Sequence, residues 1–138
     1  MARILVADHC DSNRQLLSSL CVPVGYDVIE AADGVAAFQQ TVAKVPDLMI
    51  TDVHIPGMDG LELTRRVRDT AVVANTSIIL WTACVGEETI QEFAKRHDAY
   101  LLHKPSDPYT ILSTIAIVMA ARHCIQHHHR NLAAGAIA

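Results

Sequence analysis

Five short apolar runs mark the chain, at Ile4–Ala7, Tyr26–Glu30, Leu48–Thr51, Ser77–Thr82 and Ala99–His103. Most are continuous rather than alternating, the pattern of strands covered on both faces. Between them, apolar residues recur at helical spacing. Ser12 to Cys21 brings Leu16, Leu17 and Leu20 to one face, and Asp33 stands as an N-cap before Val35, Phe38 and Val42. Gly60 to Asp69 carries Leu61, Leu63 and Val67 with Arg65, Arg66 and Arg68 turned outward, and Gly86 to His97 presents Ile90, Phe93 and Ala94. Ser106 or Asp107 caps a last helix with Pro108 in its first turn, a favoured place for proline. Ile111, Leu112, Ile115, Val118 and Met119 form its buried stripe, and Ile117, Ala120 and Ala121 widen the apolar surface toward core or partner. Pro23, Gly25, Pro46, Pro56, Gly57, Gly60 and Gly86 all fall between elements.

Strand and helix thus alternate along the whole chain, which predicts an α/β domain with a parallel sheet and helices on both faces. In such sheets ligands bind beyond the carboxyl ends of the strands. The residues expected there are Asp8 after the first run, with His9 and Asp11 beside it, Asp52 after the third, Thr82 at the end of the fourth and Lys104 after the fifth. Two carboxylates, a hydroxyl and an ammonium on one edge suit a divalent cation and a phosphoryl group. Hard cations such as Mg²⁺ take oxygen ligands, a carboxylate can act as nucleophile, and an ammonium neutralises charge on transferring oxygens.

Composition narrows the picture further. The 138 residues fit one domain, and 51% hydrophobic against 19% charged residues is enough apolar material for a core. A net charge of -4 gives no reason to expect nucleic acid or an anionic membrane as partner. Cys10, Cys21, Cys84 and Cys124 are widely spaced and read as reduced thiols of a cytoplasmic protein. The first apolar run is too short for a secretory signal, and Ile115 to Ala121 is too short to span a membrane. The tail His123, Cys124, His127, His128 and His129 carries soft-metal ligand types, but three adjacent histidines do not share a helix face, and a solvated terminal segment accounts for it.

The run Pro46 to Gly60, with Asp52 followed by Pro56, Gly57, Asp59 and Gly60, resembles the phosphoacceptor signature of response-regulator receiver domains. Trp81-Thr82-Ala83 and His103-Lys104-Pro105 are similar to the family's hydroxyl and lysine-proline elements, and the resemblance spans about residues 2–122. It implies a flavodoxin-like, doubly wound sheet of five parallel strands in the order 2-1-3-4-5. It also implies a receiver domain over 1–122 with a short extension, 123–138, either helical or disordered. By the same resemblance Asp52 is the phosphoacceptor, and Asp8, Asp52 and the backbone carbonyl of His54 are the Mg²⁺ ligands. Thr82 and Lys104 are then the phosphoryl contacts, and the Lys104–Pro105 bond is cis. The implied partners are a histidine kinase or phosphotransfer protein of a two-component phosphorelay. Output would go to a downstream protein, or a second copy, on the face of the fourth helix, fifth strand and fifth helix. The implied role is a signalling switch rather than an enzyme.

Two positions depart from the family pattern. The second acidic position is occupied by His9, and imidazole is a poorer Mg²⁺ ligand than oxygen, so Mg²⁺ binding is expected to be weak, with Asp8 or Asp11 as substitutes. The switch aromatic, three residues before the lysine, is replaced by Leu101, with Tyr100 one place earlier and so on the opposite strand face; switching would then rest on Thr82 and Ala83. His9 leaves open a pseudo-receiver, an interaction scaffold of the same fold that never turns over phosphate. A flavodoxin-like cofactor-binding enzyme is a further alternative, disfavoured because Asp8-His9-Cys10-Asp11 stands where a glycine-rich phosphate loop would follow the first strand.

Overall fold

The computed structural model describes the backbone of residues 2–137 and the side chains of residues 2–122. Five strands, β1 (Arg3–Ala7), β2 (Asp27–Ala31), β3 (Leu48–Thr51), β4 (Ser77–Thr82) and β5 (Ala99–His103), alternate with α1 (Asp11–Cys21), α2 (Gly34–Lys44), α3 (Gly60–Asp69), α4 (Glu88–Arg96) and α5 (Pro108–Ile137). The strands pair in parallel in the order β2-β1-β3-β4-β5. This is the fold expected from the sequence.

Period-two alternation along each strand divides the core. Ile4, Val6, Ile50, Ile79 and Trp81 meet Leu17 and Cys21 of α1 and Ile111, Ile115 and Val118 of α5. Leu5, Met49, Ile78 and Leu80 meet Ala37, Leu63, Val67 and Ala94 of α2, α3 and α4. The central strands β1, β3 and β4 are buried on both faces, and that is why their apolar runs do not alternate, whereas the edge strands β2 and β5 expose Asp27, Glu30, Tyr100 and His103. Burial pushes the Cys21 thiol up to about 11, so it is a packing residue and not a reactive one.

Several expectations need correction. β2 begins at Asp27 rather than Tyr26, whose amide is used by Cys21 carbonyl in the preceding turn. α4 starts at Glu88, two residues after Gly86. On α2 the buried residues are Gly34, Ala37 and Thr41, whereas Val35 and Val42 are exposed. Small side chains face inward there because the helix start lies close to the β3–α3 loop; a Cβ on Gly34 would stand 1.8 Å from the Met58 carbonyl oxygen. Of the two proposed caps of α5, Asp107 does the work, accepting from the Thr110 amide at 2.8 Å. α5 continues through residue 122 without a break. The tail residues His123, Cys124 and His127–His129 lie outside the described side chains.

Arg68 does not point outward. Its guanidinium donates to the carbonyls of His97 (2.8 Å), Ala74 (3.0 Å), Thr76 (2.6 Å) and Asp98 (3.2 Å), tying the end of α3 to the turns that enter β4 and β5. Replacing it leaves several partly buried carbonyls short of a donor. We expect Arg68→Ala to cost about 2–3 kcal/mol in urea denaturation, with Arg68→Lys recovering only part because an ammonium lacks the planar fork. A loss below about 0.5 kcal/mol would mean that water serves these carbonyls equally well.

Candidate functional site

β1 lies between β2 and β3, so the strand order reverses beside it and opens a crevice at the carboxyl edge. The ladder runs one residue past the strands on either side of that crevice. Asp8 donates its amide to the Ala31 carbonyl, and Asp52 donates to Ala7, each at 3.1 Å. Their carboxylates therefore stand side by side. Across the sheet, the Lys104 amide donates to the Thr82 carbonyl at 3.0 Å, which brings the lysine to the same edge; the Lys104–Pro105 peptide is cis.

The Lys104 ammonium joins the two acids. Nζ donates to Asp8 Oδ2 at 2.6 Å and to Asp52 Oδ2 at 2.8 Å. The side chains are 1% (Asp8), 12% (Asp52) and 16% (Lys104) exposed, so the three charges sit in a poorly solvated slot. Burial opposes the lysine's charge, but the hydrogen bonds and charges of Asp52 and Asp8 outweigh it and raise its pKa. Asp8 is held further by the Cys10 amide (2.9 Å) and the Asn13 side-chain amide (3.3 Å). Asp52 Oδ1 accepts weakly from the His54 amide at 3.3 Å.

The loop after Asp52 is fixed from beneath. Gly60 donates to the Val53 carbonyl at 2.8 Å, and Gly34 donates to Pro56 at 3.0 Å. A Cβ on Gly60 would fall 2.0 Å from the Asp52 carbonyl oxygen, so only glycine permits this approach. The backbone of His54 is thereby held beside the acids. Thr82 is 1% exposed at the end of β4, its hydroxyl accepting from the Cys84 amide at 3.3 Å, and Ala83 beyond it is exposed. Leu101 packs against the core on the α4 side, while Tyr100 is 41% exposed.

Asp8, Asp52 and Lys104 are thus in direct contact, with Thr82 on the neighbouring strand. His9 and Asp11 are not part of that contact. His9 is 60% exposed with Nδ1 3.8 Å from Asp8 Oδ1, and Asp11 is 79% exposed and paired with Arg14. Three neighbours escaped the sequence reading. Asn13 holds Asp8, and Arg14 donates to the Asp8 carbonyl and lies 3.5 Å from Glu30. Trp81 carries the Lys104 ammonium over its ring at 4.7 Å. Asn13 and Arg14 could have been found by asking which first-turn residues of α1 lie nearest the end of β1; Trp81 read only as another apolar strand residue.

Among the described residues no cluster of three or more His, Cys, Asp or Glu side chains forms a metal site. The oxygen donors brought together at the edge are the two carboxylates of Asp8 and Asp52. These are hard oxygens, and they suit an ion such as Mg²⁺ that keeps several of its waters.

Removing the ammonium leaves two buried carboxylates facing each other. We expect Lys104→Met to lose about 3 kcal/mol of stability at pH 8 in metal-free buffer. In the parent chain the sign at alkaline pH follows from the lysine. Its contribution is complete below the ordinary value of 10.5 and is lost as pH rises through the raised one. A deficit independent of pH in urea titrations would contradict this account of the slot.

Comparison with known proteins agrees with the geometry. The chain matches the response regulator receiver domain family over residues 4–116. It is 33% identical over 124 residues to protein PilH of Pseudomonas aeruginosa, covering 87% of this chain and 99% of PilH. It is 46% identical over 78 residues to the sensor protein EvgS of Escherichia coli (strain K12), 56% of this chain but only 6% of that long relative. The structure of chemotaxis response regulator CheY4 of Vibrio cholerae superposes with a TM-score of 0.80 at 33% identity, over 86% of this chain and 98% of CheY4. A parallel sheet in the order 2-1-3-4-5, two acids and a lysine joined at its carboxyl edge, and a family match over most of the length lead to one assignment: the chain belongs to the receiver domains of response regulators.

Proposed function

We propose that this receiver domain accepts a phosphoryl group on Asp52 from a histidine kinase or phosphotransfer protein, and that the acyl phosphate switches a partner surface. The observation that carries this reading is the Lys104 ammonium hydrogen-bonded to both Asp8 and Asp52 at the crevice. An oxygen of the Asp52 carboxylate attacks phosphorus as the bond to the donor's leaving nitrogen or oxygen breaks, and the leaving atom keeps the electron pair. Charge spreads over the equatorial phosphoryl oxygens in such transfers. Lys104 can exchange its bond to Asp52 for one to a phosphoryl oxygen while keeping Asp8. Thr82 can offer its hydroxyl hydrogen to another. Asp8, Asp52 and the His54 carbonyl would hold Mg²⁺, which supplies further neutralisation of the phosphoryl charge when bound. Water attack on the acyl phosphate then returns Asp52. We place this cycle in the cytoplasm, as part of a two-component system; no helix among the described residues is long and apolar enough to cross a membrane.

His9 favours one second reading, a pseudo-receiver that holds partners without phosphate. A single experiment separates the two. Intact mass after incubation with acetyl phosphate and Mg²⁺ should rise by one phosphoryl group, and Asp52→Asn should abolish the rise. In the same assay His9→Asp should lower the Mg²⁺ concentration needed for half-maximal rate, because it restores a hard oxygen ligand. An unmodified parent chain would support the pseudo-receiver, and an unaltered Mg²⁺ requirement in His9→Asp would place position 9 outside the metal's coordination.

The proposed output face is formed by α4, β5 and α5, where Tyr100, Tyr109 and Ile117 are exposed. A phosphoryl oxygen would draw Thr82 and the following loop inward, a contact present in one state alone and so able to bias a two-state element. Hydrogen exchange with and without a beryllofluoride mimic should show protection changes over 83–92 and 99–115. Changes confined to 53–60 would mean that the output lies elsewhere.

A further inference from the structure

Trp81 is the single tryptophan of the chain and is 3% exposed. It stands on the face of β4 that packs against Leu102, Ile111 and Ile115. Two features set it apart from those neighbours. Its Nε1 has no hydrogen-bond partner, a cost that an ordinary apolar residue would avoid. Its ring lies under the Lys104 ammonium, 4.7 Å from centroid to Nζ. Lysine reaches its position through four flexible methylenes, and a strongly hydrated ammonium at a partly open slot is drawn toward water. An aromatic face attracts the cation yet does not compete as an acceptor in the way a carbonyl would. The ammonium has three donors and spends two on Asp8 and Asp52, so the ring leaves the third available.

We propose that Trp81 is a positioning residue for phosphoryl transfer, its ring face holding the Lys104 ammonium where phosphoryl oxygens arrive. The proposal rests on the reading of Asp52 as phosphoacceptor. It also makes the indole a reporter, because any change in the place of the ammonium alters the field at the ring.

The test uses Trp81→Phe, which keeps a ring and removes the unpaired N–H, and Trp81→Met and Trp81→Leu, which remove the ring. Urea denaturation selects the variants that fold, and each is made in the parent and in Lys104→Ala. With acetyl phosphate and saturating Mg²⁺, the phosphorylation rate should fall about tenfold in Trp81→Met and stay within about threefold in Trp81→Phe. In the Lys104→Ala background Trp81→Met should lower the rate no further. Equal losses in both backgrounds, or equal losses for Phe and Met, would show that the ring acts only through packing and would overturn the proposal. A second readout needs no phosphate: Trp81 emission should shift in Lys104→Met, and an unchanged spectrum would also overturn it. If the emission shifts but the parent chain takes no phosphoryl group, the contact is real, while the phosphoacceptor reading and the transfer role fall together.

Discussion

The organisation of the carboxyl edge depends on one cation shared by two buried anions. Either carboxylate alone in that slot would face a desolvation cost of several kcal/mol, and the pair would add repulsion to it. Lys104 at 2.6 and 2.8 Å makes the arrangement tenable. Its position is inherited from the far edge of the sheet: β5 must pair with β4, and β4 with β3, before the lysine can reach Asp8 on β1. The cluster therefore forms only when the parallel sheet is complete. A helical lid over a partial sheet would not bring residues 8, 52 and 104 together.

The remaining carboxyl-edge contacts differ in how they are anchored. The β3–α3 loop is tied to the rest of the protein by Gly34 and Gly60, whose lack of a side chain lets the backbones approach. In the β4–α4 loop most described bonds are local, Cys84 to the Thr82 hydroxyl, Glu87 to the Cys84 carbonyl and Gln91 to the Val85 carbonyl, and one side-chain contact leaves it, from Cys84 Sγ to His54 Nε2 at 3.7 Å. One loop is fixed by backbone bonds to distant segments, and the other by bonds near its own ends and a single exposed side-chain contact.

Much of this was legible in the sequence because burial on both faces leaves a direct trace. β3, β4 and β5 have the boundaries that their apolar runs predict; in β3 and β4 side chains on both faces are in the core, and in β5 Leu102 is buried while Ala99 and Leu101 pack partly against it. Asp8, Asp52, Thr82 and Lys104 stood out because each is a polar residue ending such a run. The failures have equally definite causes. Val35 and Val42 are apolar but exposed, and Ala37 and Thr41 are small but buried; hydropathy reports side-chain chemistry, whereas here the closeness of two backbones decides which face turns inward. Arg68 read as a solvated charge because nothing local announces carbonyls contributed from elsewhere: it serves residues up to thirty positions away. Trp81 was hidden by its own hydrophobicity, since a ring that fills a core and a ring that faces a cation have the same letter.

The charges at this edge also explain why position 9 can tolerate a histidine without dismantling the site. Asp8 and Asp52 bring two negative charges and Lys104 one positive, so the slot carries a single net negative charge without any contribution from His9. A carboxylate at position 9 would add another to an edge with one nearby ammonium. His9 instead stands 60% in solvent, outside the hydrogen bonds that fix Asp8. Those bonds come from Cys10, Asn13 and Lys104, so the geometry of Asp8 does not need an acid next to it. What an imidazole cannot supply is an additional hard oxygen for a divalent ion. A histidine at position 9 therefore changes the donor type beside Asp8. It leaves intact the means by which Asp52 and Lys104 are held together.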